Sequence, residues 1–378
     1  MARNFINTYK RLLRTTDYSC HRYMYDEFNL ENRLTGLIGA RGVGKTTLLL
    51  QYIKEKIADP DECIYASIDN IYFANNRLSD FVNELYEEYG VRNFFLDEIH
   101  KYPDWNQELK NIYDSYPDCR IVFSGSSSID LVKGAYDLSR RGVLFRLAGM
   151  SFREYLKFNE IADIAPITFD QLLKDRKDIE DAAASIKKLK GHFKAYLGEG
   201  YYPFHLEGKE SYRQKVLRII DKSLYEDIPN FYKLKTENLP CFKRILYYLA
   251  TIPPGELNRN SLAKNIGIDN KTIRHYLQIL YETGLVELLR ENRSGSRLLK
   301  NTEKMFLDNP DLYSAIIAEI GYKSQTGTIR EIFFLKMLKN SGNIVHYSKV
   351  GDFVVNDTIF EVGGKSKSKK QIKNKLET

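Results

Sequence analysis

Long apolar runs are missing from this 378-residue chain. Although 43% of its residues are hydrophobic, no stretch approaches the roughly twenty apolar residues that a membrane span requires. The N-terminus also lacks the charged-then-apolar build of a signal peptide, so a cytoplasmic protein with no membrane partner is expected. Cysteine is scarce. Cys20, Cys63, Cys119 and Cys241 stand far apart without a Cys-x-x-Cys pair, which points away from a zinc site or disulfide framework and toward reduced, partly buried thiols. No strong excess of one charge is present either, the net being +7, but the balance is uneven. Glu361 to Thr378 carries six lysines, Lys365 among them, against two glutamates, a net of +4. Such a tail could neutralise nucleic-acid phosphates or simply fray in solvent, and charge alone leaves both readings open.

What the chain does have is Gly39-Ala40-Arg41-Gly42-Val43-Gly44-Lys45-Thr46, followed by Thr47, a full match to Gly-x-x-x-x-Gly-Lys-[Ser/Thr]. The apolar run Leu34 to Ile38 before it predicts a buried strand, and Thr47 to Lys54 after it an amphipathic helix. Glycines let successive backbone N–H groups close on phosphate oxygens, and the helix N-terminus adds its positive dipole end. The pattern predicts binding of ATP or GTP, with Lys45 reaching the β- and γ-phosphates and the Thr46 hydroxyl ligating Mg²⁺.

About fifty residues on, Asn93-Phe94-Phe95-Leu96-Asp97-Glu98 reads as an apolar strand ending in two carboxylates, suited to the neighbouring strand of a parallel sheet. Asp97 would hold Mg²⁺ and Glu98 would polarise the attacking water, so the pair predicts hydrolysis as well as binding. It favours an ATPase with an additional sheet strand over a small GTPase, since no Asn-Lys-x-Asp guanine-reading segment occurs. Val122 to Ser128 puts hydroxyls at the carboxyl edge of a further strand, where Ser124 or Ser126 could sense the γ-phosphate or merely form a polar loop.

The length suits two or three domains. Residues 1–150 alternate strand and helix as a parallel α/β sheet does, 151–235 read as mainly helical, and 236–300 as a helix-turn-helix with a following hairpin, a winged helix. Asp269 or Asn270 would cap its second helix, and Leu285 to Leu289 would pair with Arg297-Leu298-Leu299. Lys271, Thr272, Arg274, His275 and Gln278 would face outward, with Arg290, Arg293 and Arg297 on the wing. These could contact double-stranded DNA, or the module could serve protein contact. Residues 301–378 read as a helix and three strands with a Lys-rich tail. There Glu331, Asp352 and Glu361 could meet as a Mg²⁺-binding carboxylate cluster, with Lys365 nearby, as in restriction-like nucleases. Those enzymes place a lysine two residues after the second strand's acid, where this chain has Gly363, so a degenerate or structural domain competes with cleavage.

As a set, the phosphate loop, Phe-Leu-Asp-Glu-Ile-His-Lys-Tyr-Pro-Asp-Trp (95–105), Phe-Ser-Gly-Ser-Ser-Ser (123–128), Leu-Ser-Arg-Arg-Gly (138–142), Ser-Phe-Arg-Glu-Tyr-Leu (151–156) and Gly-Tyr-Tyr-Pro-Phe (200–204) resemble the prokaryotic AAA-type P-loop ATPases. The resemblance is narrower to archaeal and bacterial members whose C-terminal domain of unknown function joins a winged helix to a restriction-endonuclease-like, PD-(D/E)xK fold. It implies a P-loop NTPase α/β sheet flanked by helices, followed by a helical region, a winged helix and a small α/β nuclease-like domain. It also implies ATP and Mg²⁺ as cofactors, with Lys45, Thr46, Asp97 and Glu98 in the roles given above. Arg141, with Arg140 beside it, would stabilise charge on the γ-phosphate in cis or from a neighbouring subunit, or hold a helix by an ion pair. Three functions remain open: an Mg²⁺-dependent ATPase controlling DNA binding, a nucleotide-dependent protein-interaction switch that self-associates or engages a protein partner, and an ATP-regulated nuclease.

Overall fold

The inner strands of the first sheet are runs of mainly apolar residues that a helix-covered sheet buries on both faces. In the computed structural model the strands of this sheet are β1 (Leu34–Ile38), β2 (Cys63–Ser67), β3 (Asn93–Asp97), β4 (Arg120–Gly125) and β5 (Gly142–Arg146). They run parallel in the spatial order β2-β3-β4-β1-β5, and β1 and β3 are buried along their whole length. The structure describes residues 2–126, 141–208, 210–232, 234–255, 257–291, 303–348 and 351–363. α1 (Ala2–Thr15) precedes β1, and α2 (Lys45–Lys56), α3 (Leu78–Tyr89) and α4 (Trp105–Ser115) connect the successive strands β1 to β4. Their inward stripes, such as Phe81, Val82 and Leu85 of α3 or Leu109 and Ile112 of α4, are fully buried, as the helical period requires.

Two features of the sheet differ from the sequence reading. The strand ending at Asp97 is not beside β1, because β4 lies between them, pairing with β1 through Leu34↔Ile121 and with β3 through Asn93↔Arg120. β4 follows β3 along the chain, so spacing alone could not place it; it is the additional strand that the Asp-Glu pair implies. The sequence reading also lacks β5, an edge strand in register with β1 from Leu34↔Gly142 to Ile38↔Arg146. Its partly exposed, irregular burial hides it from a pattern search.

The chain divides into two units, Met1–Ala165 and Pro166–Thr378. The first reaches past residue 150 because the helix Phe152–Phe158 is fastened to the N-terminal segment by a buried Arg22–Glu154 ion pair at 2.8 Å. In the second unit, helices Phe169–Lys174, Arg176–Ser185, Leu189–Glu199 and Tyr212–Lys222 precede Leu239–Thr251, Arg259–Ile266 and Asn270–Glu282. Asp269 caps the last of these, its Oδ1 accepting from the N–H groups of Lys271 and Thr272 at 2.9 and 3.0 Å. Leu262, Ala263, Ile266, Ile273, Leu277 and Leu280 are buried together. β6 (Val286–Arg290) pairs antiparallel with β7 (Glu303–Leu307); the expected partner Arg297-Leu298-Leu299 lies outside the described residues. Helices Pro310–Glu319 and Thr326–Asn340 lead to an antiparallel sheet of β8 (Val345–Tyr347), β9 (Phe353–Val355) and β10 (Thr358–Phe360), ordered β10-β9-β8. Among the described residues no helix is long and apolar enough to cross a membrane. All four cysteines are free thiols, Cys63 and Cys119 buried.

Candidate nucleotide site

β1 ends at Ile38, inside the sheet, and the chain turns through Gly39 to Gly44 before α2 begins at Lys45. Gly39 is wedged: its N–H donates to the Gly125 carbonyl at 3.3 Å, and a Cβ there would stand 2.4 Å from the Leu147 carbonyl oxygen. Gly42 and Gly44 take φ of 79° and 96°, left-handed backbone that a Cβ resists. Lys45 is buried, and its ammonium donates to the carbonyls of Gly39 at 2.9 Å and Ala40 at 3.1 Å, which keeps the cation within the loop. Thr46 and Thr47 are exposed at the start of α2, while Ala40 and Arg41 are half-buried.

Asp97, buried at the carboxyl end of β3, meets the loop through α2. The Thr46 hydroxyl donates to its Oδ2 at 2.5 Å, and the Tyr65 hydroxyl, from β2, donates to the same oxygen at 2.6 Å. The other oxygen accepts from the Ser124 hydroxyl and, at 3.0 Å, from the Glu98 N–H. Burial first, then the charge of Asp97, pushes the Tyr65 phenol far above its ordinary value, so it stays a donor. A hydroxyl and a carboxylate side by side are hard oxygen donors, and that set suits Mg²⁺. Glu98 follows in left-handed backbone, φ 55°, with its carboxylate 3.4 Å from the buried His100 ring. A non-glycine residue in that region is strained, a cost commonly met at functional sites.

The sequence-predicted residues separate here. Lys45, Thr46, Asp97 and Glu98 gather at one edge of the sheet. Ser124 spends its hydroxyl on Asp97, so of the two serines only Ser126, buried just beyond β4, remains a candidate phosphate sensor. Ser127, Ser128 and Arg140 lie outside the described residues. Arg141 stands apart from the phosphate loop of its own chain. It precedes β5 at the Leu34 end of β1, opposite the phosphate loop, so one strand of five residues, roughly 16 Å, separates it from that edge. There it pairs with Asp114 of α4 at 3.3 Å. In the second unit Lys271, Arg274, His275 and Gln278 are exposed, but the Thr272 hydroxyl bonds the Asp269 carboxylate at 2.5 Å, a capping role that removes it from the outward set. Arg293 and Lys365 lie outside the described residues. The three-carboxylate cluster is overturned: among the described residues no group of three such side chains could hold a metal ion. Asp352 instead accepts the Val362 N–H at 2.7 Å and ties off its hairpin, and Glu331 lies within the preceding helix.

Sequence reasoning missed three neighbours of the site. Tyr65 carries no signal, since an inward tyrosine in a strand reads as core. Arg22 lies in irregular chain with no pattern around it. Glu154 was legible in part, because Ser151-x-x-Glu154 has the spacing of a helix capping box, and the structure forms that box.

This sheet order, with a lysine-bearing loop after β1 and an acidic pair after β3, is the arrangement expected of a P-loop nucleotide-binding domain. The family models agree and delimit it: residues 31–156 match an AAA domain, and residues 190–326 match a domain of unknown function, DUF8612. No curated protein matches the chain in sequence. Among solved structures, AMPPCP-bound DnaA from Aquifex aeolicus is 16% identical, covering 73% of this chain and 86% of its own. A DNA replication initiation factor is 18% identical over 74% and 88%, and PCH-2 of C. elegans 14% over 73% and 68%. Each superposes with a TM-score of 0.27, a likeness that carries no argument beside the strand order and the family model.

Proposed function

We propose that the chain is an Mg²⁺-dependent ATPase whose nucleotide state controls DNA binding by its second unit. The observation that carries the ATPase reading is the convergence of Thr46 Oγ1 and Asp97 Oδ2 at 2.5 Å beside Lys45 and Glu98. Thr46 and Asp97 would hold Mg²⁺, which neutralises charge on the phosphates. The N–H groups from Gly42 to Thr46 cradle the phosphates, Lys45 pairs with the β- and γ-phosphates, and Glu98 orients and polarises the attacking water. Ser126 reports the γ-phosphate. Arg141, being on the far edge of its own sheet, serves catalysis only from a neighbouring copy.

The DNA reading rests on a helix-turn-helix, Arg259–Ile266 and Asn270–Glu282, followed by an antiparallel strand pair, which is the order of a winged helix. Lys271, Arg274, His275 and Gln278 are exposed on its second helix, the element that enters a major groove in such modules. The nuclease reading ranks behind this one, because no group of three side chains that could hold a metal ion occurs among the described residues.

The test is ATP hydrolysis by the wild type and by Glu98→Gln, each with and without double-stranded DNA at two salt concentrations. DNA-stimulated turnover that fades as salt rises, with a variant that binds ATP but does not turn it over, supports the whole reading. Hydrolysis indifferent to DNA leaves the ATPase and hands the second unit to a protein partner.

A further inference from the structure

Arg22, 5% exposed, stands in the irregular segment before β1 and spreads its guanidinium over three acceptors. Nε donates to Glu154 Oε1 at 2.8 Å, Nη2 to the Ala148 carbonyl at 2.7 Å, and Nη1 to the carbonyl of Val43, inside the phosphate loop. Glu154 is in turn fully engaged. It accepts from the Tyr23 N–H at 2.9 Å, the Ser151 N–H at 2.9 Å and the Ser151 hydroxyl at 3.0 Å. Burial works to raise its carboxyl, yet Arg22 and these donors hold it below the ordinary carboxylate value, so both partners stay charged. A buried arginine whose three nitrogens each donate to an acceptor is a rigid fork, and one of its prongs ends on the nucleotide loop.

A trans peptide sets its C=O and its N–H on opposite sides, and no cis peptide occurs among the described residues. A Val43 carbonyl held toward Arg22 therefore turns the Gly44 N–H away from Arg22. In a loop of this spacing the glycine before the lysine is one of the residues whose N–H must point at phosphate. Gly44, at φ 96°, has more backbone freedom than any residue with a Cβ, so its peptide is the one that most needs an external restraint.

We propose that Arg22 is a positioning residue for the phosphate loop: by fixing the Val43 carbonyl it presents the Gly44 N–H to the nucleotide phosphates, with Glu154 holding Arg22 in place. The inference rests on the ATP-binding reading and deepens it. No bond to nucleotide is made by Arg22 itself, so its loss is felt in phosphate binding and not in the chemical step.

The test is calorimetric binding of Mg·ATP, ADP and adenosine to wild type, Arg22→Lys, and the double variant Arg22→Met/Glu154→Gln, which leaves no lone charge buried. The expected result is at least tenfold weaker binding of both ATP and ADP by the double variant, with adenosine unchanged and the melting temperature near wild type. Arg22→Lys keeps the ion pair but cannot span three acceptors, so it falls between the two. A folded double variant that binds ATP within twofold of wild type overturns the proposal. Should the double variant fail to fold, wild-type affinity in Arg22→Lys overturns it equally, because a purely structural charge pair survives that change. A wild-type chain that binds no nucleotide overturns the ATPase reading and this inference together, whereas wild-type binding unaffected by the variants overturns the inference alone.

Discussion

Asp97 in the first unit and the Glu287–Asp308 pair in the second are both buried, but they are completed differently. Asp97 in the first unit collects hydrogen bonds from Thr46, Tyr65, Ser124 and the Glu98 N–H, all neutral donors. In the second unit Glu287 and Asp308 are met by the ammonium groups of Lys336, at 3.0 and 2.5 Å, and Glu287 also by Lys339. Neutral donors fix the direction of a carboxylate and leave its charge available to a cation; ammonium groups cancel the charge where it stands. The first arrangement lies at a sheet edge next to an exposed threonine, and the second is closed into a core. Buried charge alone does not mark a site: what sets Asp97 apart is a carboxylate with neutral donors only, bonded to an exposed threonine at a sheet edge.

The largest test of this contrast is Glu98→Gln. General-base assistance contributes about 10²–10⁴ in rate, so turnover falls by that factor while ATP affinity stays near wild type, measured by phosphate release and calorimetry. Lys336→Met gives the mirror image. It strands Glu287 and Asp308 without their shared cation and costs about 3–5 kcal/mol of stability in the second unit, read by denaturant unfolding. Loss of turnover without loss of stability in the first case, and the reverse in the second, is what the comparison requires.

Titration separates the units further. Burial pushes the Asp311 carboxyl, which accepts from the Tyr201 N–H at 2.8 Å and from the Tyr212 hydroxyl, up to about 7. The unfolded chain releases that proton near pH 4 and the folded chain holds it to about 7, so the unfolded state binds fewer protons between the two values. Stability therefore falls as pH rises through that window and is flat above it, by a total on the order of 4 kcal/mol. Asp311→Asn, which keeps an acceptor and cannot ionise, abolishes that part of the pH dependence; unfolding curves for both proteins at pH 5 and 8 check it. Tyr65→Phe is milder. It removes one bond to a charged carboxylate, about 1.5–3 kcal/mol, and appears as a weaker Mg²⁺ requirement curve with the strand left in place.

Much of the first unit was legible because its signals are local. The loop glycines, Lys45, Thr46, Asp97 and Glu98 each sit in a short pattern whose chemistry explains the spacing. What the sequence hid is non-local: Tyr65 reaching Asp97 across a strand pair, and Arg22 meeting Glu154 over 132 positions. In the second unit the helical stripe around Leu262, Ile273 and Leu280 was readable from its period. The expected meeting of Glu331, Asp352 and Glu361 failed because it rested on element order alone, and in the structure Asp352 turns back to its own hairpin.

The smallest effect belongs to Arg141, and it bears on assembly. Its pair with Asp114 is half-exposed, so Arg141→Ala costs at most about 1 kcal/mol of stability. Its place at the far end of β5 removes any direct route to the nucleotide of its own chain. If the substitution leaves turnover unchanged, the arginine is an ordinary helix tie. If turnover falls instead, the arginine must act on another copy's nucleotide. The wild-type rate per chain then rises with protein concentration, and mixing Arg141→Ala with Glu98→Gln restores activity, because each defective chain supplies what the other lacks. Activity lost in both variants and not restored on mixing would contradict the strand register that sets Arg141 apart from the loop.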